Sequence, residues 1–502
     1  MTGSDDGSRF STRLGLILSV LGIAVGTGNI WRFPRIAATN SGSSGAGAFL
    51  VAWVVFLLIW SIPLIIAEYA LGQRSRMGVV GTFAKIAGKK FTWMGAFVGM
   101  VATAIMFYYS VVAGWAVYYF VQMLFKPLPL STQAATQIWN SFQAGGWPVF
   151  FHLLAMTLGV AIVLKGVSSI EKANKFLIPT LFLIILFAVG YTLTLNGSWE
   201  GIKFLFTPDW SLLAKPHVWI DALTQNAWDT GAGWGLILTY GAYMQRKHGI
   251  FQNAFITGIG NNLVSLLAAI IIFGTVFAVL GAQMPQGQVL KVMQTSGPAS
   301  TGLTFIWMPQ LFAKMPIGNV FAVLFFLGLS FAAFSSLISM IELASRVLVD
   351  LGISRTQATI SVGIVGFLLG LPSAIWTEFL ANQDFVWGVG LLISGGLVSF
   401  AVIQYGPQKL RLGFLPDVSD GETGKTWDVL IGKVVPIQAV VLLIWWLSTV
   451  YDPQDWYHPF EFSTLSNFLL QWGGVIVLFL VLNRWLANKS LDFSEVAESV
   501  TD

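Results

Sequence analysis

Two glycine-rich, polar stretches interrupt apolar segments of the 502-residue sequence. The first is residues 22–29 (GIAVGTGN), and the second is residues 225–235 (QNAWDTGAGWG), which includes Asp229. Glycine at this density disfavours a helix, and non-helical backbone at membrane depth survives only where it is buried in protein or lines a cavity. Its exposed N–H groups would attract anions, and its carbonyl groups would attract cations. If both stretches lie inside a membrane, they predict a site for a small solute and its accompanying ions.

Close helix packing is the alternative for the first stretch, because Gly22 and Gly26 have the four-residue spacing of small residues at helix contacts. This alternative is weaker for the second stretch. A carboxylate such as Asp229 at mid-membrane costs roughly 2.5–3.5 kcal/mol on insertion scales and needs a partner or water. Two matched breaks together with a central carboxylate therefore favour a site.

The composition places these stretches in a membrane protein. Hydrophobic residues make up 55% of the chain and charged residues 10%, whereas an ordinary soluble protein is about 25% charged. The apolar runs are long and continuous, which indicates membrane-spanning helices. We predict twelve, near 13–37, 46–72, 93–124, 147–165, 174–195, 217–244, 253–282, 318–349, 356–376, 385–405, 428–450 and 463–486. The breaks then fall in spans 1 and 6, which suggests two five-helix halves related as an inverted repeat.

Basic residues are concentrated in loops of one parity, most clearly between spans 2 and 3. That loop contains no acid and five basic residues, namely Arg74, Arg76, Lys85, Lys89 and Lys90. The positive-inside rule therefore places both termini, segments 1–12 and 487–502, in the cytoplasm. The membrane that we expect is the plasma (inner) membrane. The formal charge of +4 follows from this loop bias, so we expect the lipid bilayer as a partner and no nucleic acid.

Residues typical of enzymes are scarce. The chain has no Cys, and its four His residues form no HxxxH or HExxH spacing, so a metal hydrolase would lack ligands. Residues 424–426 (GKT) resemble the end of a phosphate loop, but Ser419 stands where the first Gly is required. We predict no enzymatic activity and no cofactor. A site for a solute and ions inside a membrane favours a transporter. A channel is one alternative, although no pore-lining carbonyl repeat or ring of acids is present. A transporter-like sensor is another.

Several motifs together resemble a known family. The most specific is residues 12–15 (TRLG) leading into 26–34 (GTGNIWRFP) in span 1, and residues 166–172 (GVSSIEK) precede span 5. Supporting residues in spans 2 and 3 are Pro63, Glu68, Gly72, Tyr108, Tyr109 and Trp115. Over essentially its whole length the chain resembles the neurotransmitter:sodium symporters, in particular their bacterial amino-acid-transporting branch.

The resemblance implies an all-α membrane protein with twelve transmembrane helices. Two five-helix repeats, 13–195 and 217–405, would contain broken helices 1 and 6, and two further helices would lie within 428–486. It also implies sodium-driven symport by alternating access, with two sodium ions and a small-molecule amino acid bound at the breaks. The expected assembly is a monomer or a weak homodimer.

The substrate site implied by this resemblance lies across both breaks. The substrate carboxylate would meet the N–H groups of Thr27 and Gly28 and the hydroxyl of Tyr109, which agrees with the preference of a half-helix N-terminus for anions. The amine would meet the carbonyls of Ala24 and Trp228. Side-chain selectivity would fall to Ile105, Trp228, Gly231, Trp234, Ser336 and Met340. These residues favour a neutral, hydrophobic side chain, with extra depth at Gly231. Ordinary packing is the alternative for the two Trp residues, and a transporter of another small zwitterion is the alternative function.

The resemblance also implies two sodium sites made of oxygen atoms. The first would use the Ala24 carbonyl, the amides of Asn29 and Asn261, and Asp229. The second would use the carbonyls of Gly22, Val25 and Ala332 and the hydroxyls of Ser335 and Ser336. For the two serines, hydrogen bonding between helices is the alternative.

Gate residues follow from the same motifs. Arg32 and Asp384 match the outer ion pair, and Asp350 matches the inner acid. Arg9 directly precedes Phe10, so the register of the usual inner Arg is shifted, while Phe10 can still act as an apolar plug.

Asp229 is the main departure from the family pattern, which usually has a hydroxyl residue at this position. In chloride-dependent relatives that hydroxyl helps to bind chloride, together with positions that match Trp53, Gln225, Asn261 and Ser265. A fixed carboxylate would offset the sodium charge as a bound anion does, so we predict transport that does not need chloride. The alternative is that Asp229 pairs with the substrate amine or titrates during transport.

Overall fold

The apolar runs of the sequence form long helices in the computed structural model. It describes residues 9–245, 247–295, 302–414 and 424–501, apart from the side chains of residues 414 and 493–501. The principal helices are α1 (Arg13–Ala24), α2 (Thr27–Thr39), α3 (Gly47–Ser75), α4 (Lys89–Phe125), α5 (Trp147–Leu164), α6 (Val167–Leu193), α7 (Pro216–Asp229), α8 (Leu236–Ala242), α9 (Ile250–Leu280), α10 (Gly318–Asp350), α11 (Arg355–Ile375), α12 (Thr377–Tyr405), α13 (Lys425–Val450) and α14 (Leu465–Thr501). Shorter helices are Val79–Thr82, Thr132–Ala144, Ser198–Phe206, Gln286–Gln294, Leu303–Phe312 and Pro407–Phe414.

Most of the predicted spans correspond to one of these helices. Ten helices of the described residues are long and apolar enough to cross a membrane, and the bent pair α1 and α2 raises the number to eleven. The remaining predicted span, 217–244, is divided between α7 and α8, which have 14 and 7 residues. At 1.5 Å per residue neither half reaches across a hydrocarbon core of about 30 Å, so this span is complete only as a pair.

The last helix extends beyond residue 486, the predicted end of span 12. Helix α14 continues to Thr501, through most of the segment 487–502 that we expect in the cytoplasm. Residue 502 and residues 1–8 of the N-terminal segment lie outside the described residues, as does Ser419.

The break in span 1 is shorter than predicted. Helices α1 and α2 meet at an angle of 48°, and only Val25 and Gly26 lie between them. The side-chain oxygen of Asn29 accepts a hydrogen bond of 2.8 Å from the Gly26 N–H, which satisfies one of the backbone donors freed at the break. The other residues of the stretch 22–29 are helical.

The break in span 6 covers Thr230–Gly235, whereas residues 225–229 are helical. Gly231, Gly233 and Gly235 have φ values of +68°, +84° and +78°. Residues other than glycine rarely adopt this left-handed backbone conformation. The three glycines therefore allow the chain to leave the helix and re-enter it here.

Glu68 of α3 fixes the second half of span 6. Its buried carboxylate accepts hydrogen bonds of 3.0 Å from the N–H groups of Gly235 and Leu238. These are donors at the N-terminus of α8, where a negative charge is favourable. Glu68 therefore holds α8 against α3.

The broken spans lie inside the bundle, and the intact helices surround them. Helix α1 packs against α6 and α10, α2 against α9, and α7 against α3 and α12. The outward faces of the peripheral helices are apolar, with Phe176, Leu183, Ile437 and Val481 exposed by 61–77%. Such a surface suits contact with lipid.

Candidate substrate and ion site

A cavity of about 250 Å³ lies between the two broken spans. Of the predicted site residues, its lining includes Ala24, Thr27, Gly28, Asn29, Arg32, Tyr109, Trp228, Asp229, Trp234, Ser336, Met340 and Asp384. The structure therefore brings residues of five separate sequence regions to one place.

Two predicted substrate contacts do not line this cavity. Ile105 is fully buried in the core. At Gly231 a side chain would meet Cγ2 of Ile23 at 2.8 Å. The extra depth expected at Gly231 is thus occupied by Ile23, which itself lines the cavity.

The expected carboxylate donors are close together. The N–H and hydroxyl of Thr27 each donate to the hydroxyl oxygen of Tyr109 at 3.2 Å. A Cβ at Gly26 would lie 3.0 Å from the Ser336 hydroxyl oxygen and 3.1 Å from that of Tyr109. Glycine at this position lets the two hydroxyls approach the backbone at the break.

Three oxygens of the predicted first sodium site lie together, whereas the side-chain oxygen of Asn29 accepts a hydrogen bond from Gly26 instead. The side-chain oxygen of Asn261 faces the carbonyl oxygens of Ala24 and Asp229 at 3.0 Å and 3.1 Å. The Asn29 amide nitrogen donates to this Asn261 oxygen at 2.7 Å and to Ser265 at 2.8 Å. Three oxygens cannot hydrogen-bond to one another. Turning the Asn261 amide so that its nitrogen faces the two carbonyls gives it hydrogen bonds to both, and in the other orientation its oxygen is available to a cation.

The atoms of the predicted second sodium site also come together. The Ser336 hydroxyl donates to the Gly22 carbonyl at 3.2 Å. The Ser335 hydroxyl lies 3.4 Å from the Val25 carbonyl and 2.9 Å from the Ala332 carbonyl. Carbonyl and hydroxyl oxygens at the end of a broken helix are suitable ligands for sodium.

Asp229 directs its two carboxylate oxygens to different surroundings. Oδ2 accepts hydrogen bonds from the Gln225 amide at 2.6 Å and from the Ser265 hydroxyl at 3.3 Å. Oδ1 is buried without a hydrogen-bond partner among the described residues, and it lies 3.3 Å from the position of a Cβ at Gly28. The carboxylate thus contacts two of the predicted anion-site positions and also faces the cavity.

Trp53, another predicted anion-site position, has other contacts. Its carbonyl accepts a hydrogen bond of 2.9 Å from Asn226. Its ring packs against Phe33, with a centroid distance of 4.4 Å. These contacts join α3 to α7 and α2.

The two outer-gate residues lie in the cavity lining without a salt bridge between them, in the part of the chain that the structure describes. The Arg32 guanidinium instead lies 4.7 Å from the ring centroid of Trp228. The same ring lies against Gly388 of α12, where a side chain would collide with it. Trp228 therefore fills the space between α2 and α12 beside the cavity.

The predicted inner plug is buried. Phe10 is fully enclosed, its N–H donates to the Tyr243 carbonyl at 3.2 Å, and its carbonyl accepts from the Gln245 amide at 2.8 Å. The two residues that follow Phe10 are held by Glu171, which accepts hydrogen bonds of 2.7 Å and 3.0 Å from the hydroxyls of Ser11 and Thr12.

Asp350, the predicted inner acid, has a partner on its own helix. Arg346 forms a salt bridge with it at 2.8 Å, and the Gly78 N–H donates to it at 2.5 Å. The sequence motifs pointed to an N-terminal Arg as the usual partner of this acid, and Arg9 is out of register for that role. The i, i+4 spacing of Arg346 and Asp350 is a signal that could have identified the pair.

Sequence reasoning also missed lining residues next to the predicted ones. Tyr108 and Arg35 line the cavity. Arg35 lies three residues after Arg32 in α2, so the two share a helical face. That spacing could have indicated its position.

Comparison with known proteins shows which family the chain resembles. The sequence profile of the sodium:neurotransmitter symporter family matches residues 8–146 and 132–489. An uncharacterised sodium-dependent transporter of Methanocaldococcus jannaschii is 32% identical over 457 residues, which cover 86% of this chain and 89% of the relative. A sodium-dependent serotonin transporter of Drosophila melanogaster is 31% identical over 425 residues, which cover 75% of this chain and 66% of the relative.

A solved structure resembles the whole bundle. The crystal structure of MhsT in complex with L-phenylalanine matches with a TM-score of 0.73 and 28% sequence identity, over 87% of this chain and 99% of MhsT. The predicted all-α transporter fold is confirmed by this match. With the family profile covering most of the sequence, the chain belongs to the sodium:neurotransmitter symporter family, whose members are sodium-dependent membrane transporters and not enzymes.

Proposed function

We propose that the chain is a sodium-coupled symporter that imports neutral, hydrophobic amino acids by alternating access. The observation that carries this proposal is the cavity at the two breaks, where backbone and hydroxyl groups lie beside apolar side chains. Thr27 and Tyr109 supply polar groups for a carboxylate, while Val112, Met340 and Trp234 supply apolar surface. The match to MhsT in complex with L-phenylalanine supports the same substrate class.

Two sodium ions are proposed because two separate oxygen clusters flank the cavity. One contains Ala24 and Asn261, and the other contains Gly22 and Ser335. Sodium in the first cluster would lie close to Asp229, whose carbonyl belongs to that cluster. A sodium gradient would then favour binding from the side of higher sodium concentration.

We further propose that Asp229 replaces a bound chloride. Its Oδ2 is held by Gln225 and Ser265, which match anion-site positions of relatives. A buried fixed charge at this point would balance sodium without a diffusible anion. The unpartnered Oδ1 supports the alternative of direct contact with the substrate amine, which the D229S experiment below separates.

For the membrane location we propose the plasma (inner) membrane. Both termini would be cytoplasmic, as the loop charges predict. We also propose that the protein is a monomer or a weak homodimer.

Transport in proteoliposomes tests the function. Purified protein should accumulate radiolabelled L-phenylalanine or L-leucine when sodium is high outside, and accumulation should saturate with substrate. Replacing external sodium by potassium should abolish it. Sodium-dependent binding without accumulation would favour a sensor, and flux that does not saturate would favour a channel.

A further inference from the structure

We propose that Asn174 of α6 contributes an additional oxygen to the second sodium site, directly or through one water molecule. This inference rests on the proposed function, because it assumes that sodium binds at the Gly22 and Ser335 cluster. Asn174 was not among the residues predicted from the sequence. Its surroundings indicate the role.

Asn174 is fully buried, and neither atom of its side-chain amide has a hydrogen-bond partner among the described residues. An amide buried without partners costs roughly 1–3 kcal/mol by protein mutational data, so such groups are almost always satisfied by protein, water or a ligand. The Asn174 amide, which can both donate and accept, therefore needs a water molecule or an ion close to it.

The side chain points to the second ion cluster. A Cβ at Gly22 would lie 2.7 Å from the Asn174 side-chain oxygen and 3.1 Å from Cβ of Ser335. The same Gly22 provides one of the cluster's carbonyls, and Ser335 provides one of its hydroxyls. Asn174 thus meets α1 and α10 where these two helices bring their oxygens together.

The neighbouring turn of α6 shows which helix the Asn174 side of α6 packs against. Glu171, three residues before Asn174, accepts hydrogen bonds from Ser11 and Thr12 at the start of α1. The face of α6 that carries Glu171 and Asn174 therefore lies along α1. It extends from the N-terminal segment to the ion cluster.

A neutral amide oxygen would add a ligand without adding charge. Sodium takes oxygen ligands, and the other atoms of the cluster are carbonyls and hydroxyls. Asn174 would raise the affinity of the site for sodium. Its contact with the ion would have to break when sodium leaves.

The test compares Asn174→Leu, which removes the amide at similar size, with Asn174→Asp, which keeps an oxygen. Thr192→Val is the matched control, because Thr192 is an equally buried and unpartnered polar residue on α6 away from the cluster. The full-length protein in detergent is used. Two quantities are measured: the sodium concentration for half-maximal L-[³H]phenylalanine binding, and the increase in melting temperature caused by sodium alone, with potassium as the reference cation.

For Asn174→Leu we expect the half-maximal sodium concentration to rise by roughly tenfold, and the sodium-dependent gain in melting temperature to shrink. Phenylalanine affinity at saturating sodium should be unchanged. Asn174→Asp should keep most of the sodium response, and Thr192→Val all of it.

The inference is overturned if Asn174→Leu keeps the wild-type sodium response. It is also overturned if Asn174→Leu and Asn174→Asp lower the melting temperature equally in potassium and in sodium, since that indicates packing alone. Ser335→Ala separates the two proposals. If it reduces the sodium response and Asn174→Leu does not, only the role of Asn174 is wrong; if Ser335→Ala has no effect, the proposed second sodium site is wrong as well.

Discussion

Gln225 donates a hydrogen bond of 2.6 Å to Oδ2 of Asp229, one turn further along α7. The bond fixes the carboxylate so that Ser265 contacts the same oxygen, while Oδ1 faces Gly28 and the cavity. One side chain therefore faces both the predicted anion-site positions and the substrate space.

Replacing Asp229 with Ser should create a chloride requirement. The substitution removes the fixed charge and leaves Gln225 and Ser265 with a vacant acceptor position. Sodium affinity should fall sharply in gluconate buffer and recover partly when chloride is added. Sodium-dependent phenylalanine binding measures both effects, and Asp221→Asn is the control, because Asp221 of the same helix is bonded to Asn40.

Two results would count against the chloride proposal. Wild-type uptake that collapses when chloride is exchanged for gluconate contradicts it directly. A D229S protein that loses substrate affinity, is not rescued by chloride and still binds sodium without substrate would support pairing of Asp229 with the substrate amine.

Gly28→Leu should abolish sodium-driven uptake. A Cβ at this position already lies 3.3 Å from Asp229 Oδ1, so a longer side chain would enter the cavity. Gly190→Leu is the control, because Gly190 of α6 is exposed and a Cβ there meets no atom within 4 Å. Proteoliposome uptake at equal protein content checks the difference. Normal uptake by the Gly28 variant would mean that the substrate binds elsewhere.

Tyr109→Phe should weaken amino-acid binding by roughly 0.5–1.5 kcal/mol, and by more if a carboxylate oxygen is left unpaired in the buried site. The hydroxyl lost is the one bonded to Thr27 at the break. Equilibrium binding at saturating sodium measures the change. Tyr118→Phe serves as the control, since its ring stacks on Phe142 and is not in the cavity lining; equal effects of both variants would argue against a role of the Tyr109 hydroxyl.

Neutralising Arg32 or Asp384 should impair transport more than sodium binding. The two residues face the same cavity without a salt bridge, so their attraction is available for a later closing step. Arg32→Gln also removes the contact with the Trp228 ring, whereas Asp384→Asn leaves it intact. Uptake and sodium-dependent thermal stabilisation are compared for each variant. Recovery of uptake in the charge-swapped double variant would support direct contact, and parallel loss of both properties would indicate a structural role.

The sequence predicted the helical class and the breaks because both depend on local properties. Long apolar runs specify spans, and Gly231, Gly233 and Gly235 occupy backbone that only glycine adopts readily. The exact break in span 1 was harder to predict, because Asn29 caps α2 by a side-chain bond that composition does not indicate.

Contacts between distant segments were less predictable. The space at Gly231 is filled by Ile23 from the other broken span, and the Gly78 N–H donates to Asp350 from a segment far away in the sequence. Neither contact follows from the residue types alone, because each depends on how separate segments pack against each other. Asn174 is similar: its importance comes from its contact with Gly22, which only the packing of α6 on α1 creates.

The bonds from Glu68 to the start of α8 have a mechanical consequence. Because the carboxylate joins α3 to Gly235 and Leu238, a tilt of α8 away from α3 would have to break these two hydrogen bonds. Helix α7 is joined to the same α3, through the bond from Asn226 to the Trp53 carbonyl, so α3 connects both halves of span 6 across the glycine-rich break. A motion that separates the two halves would therefore have to bend α3 between Trp53 and Glu68 or release one of these contacts.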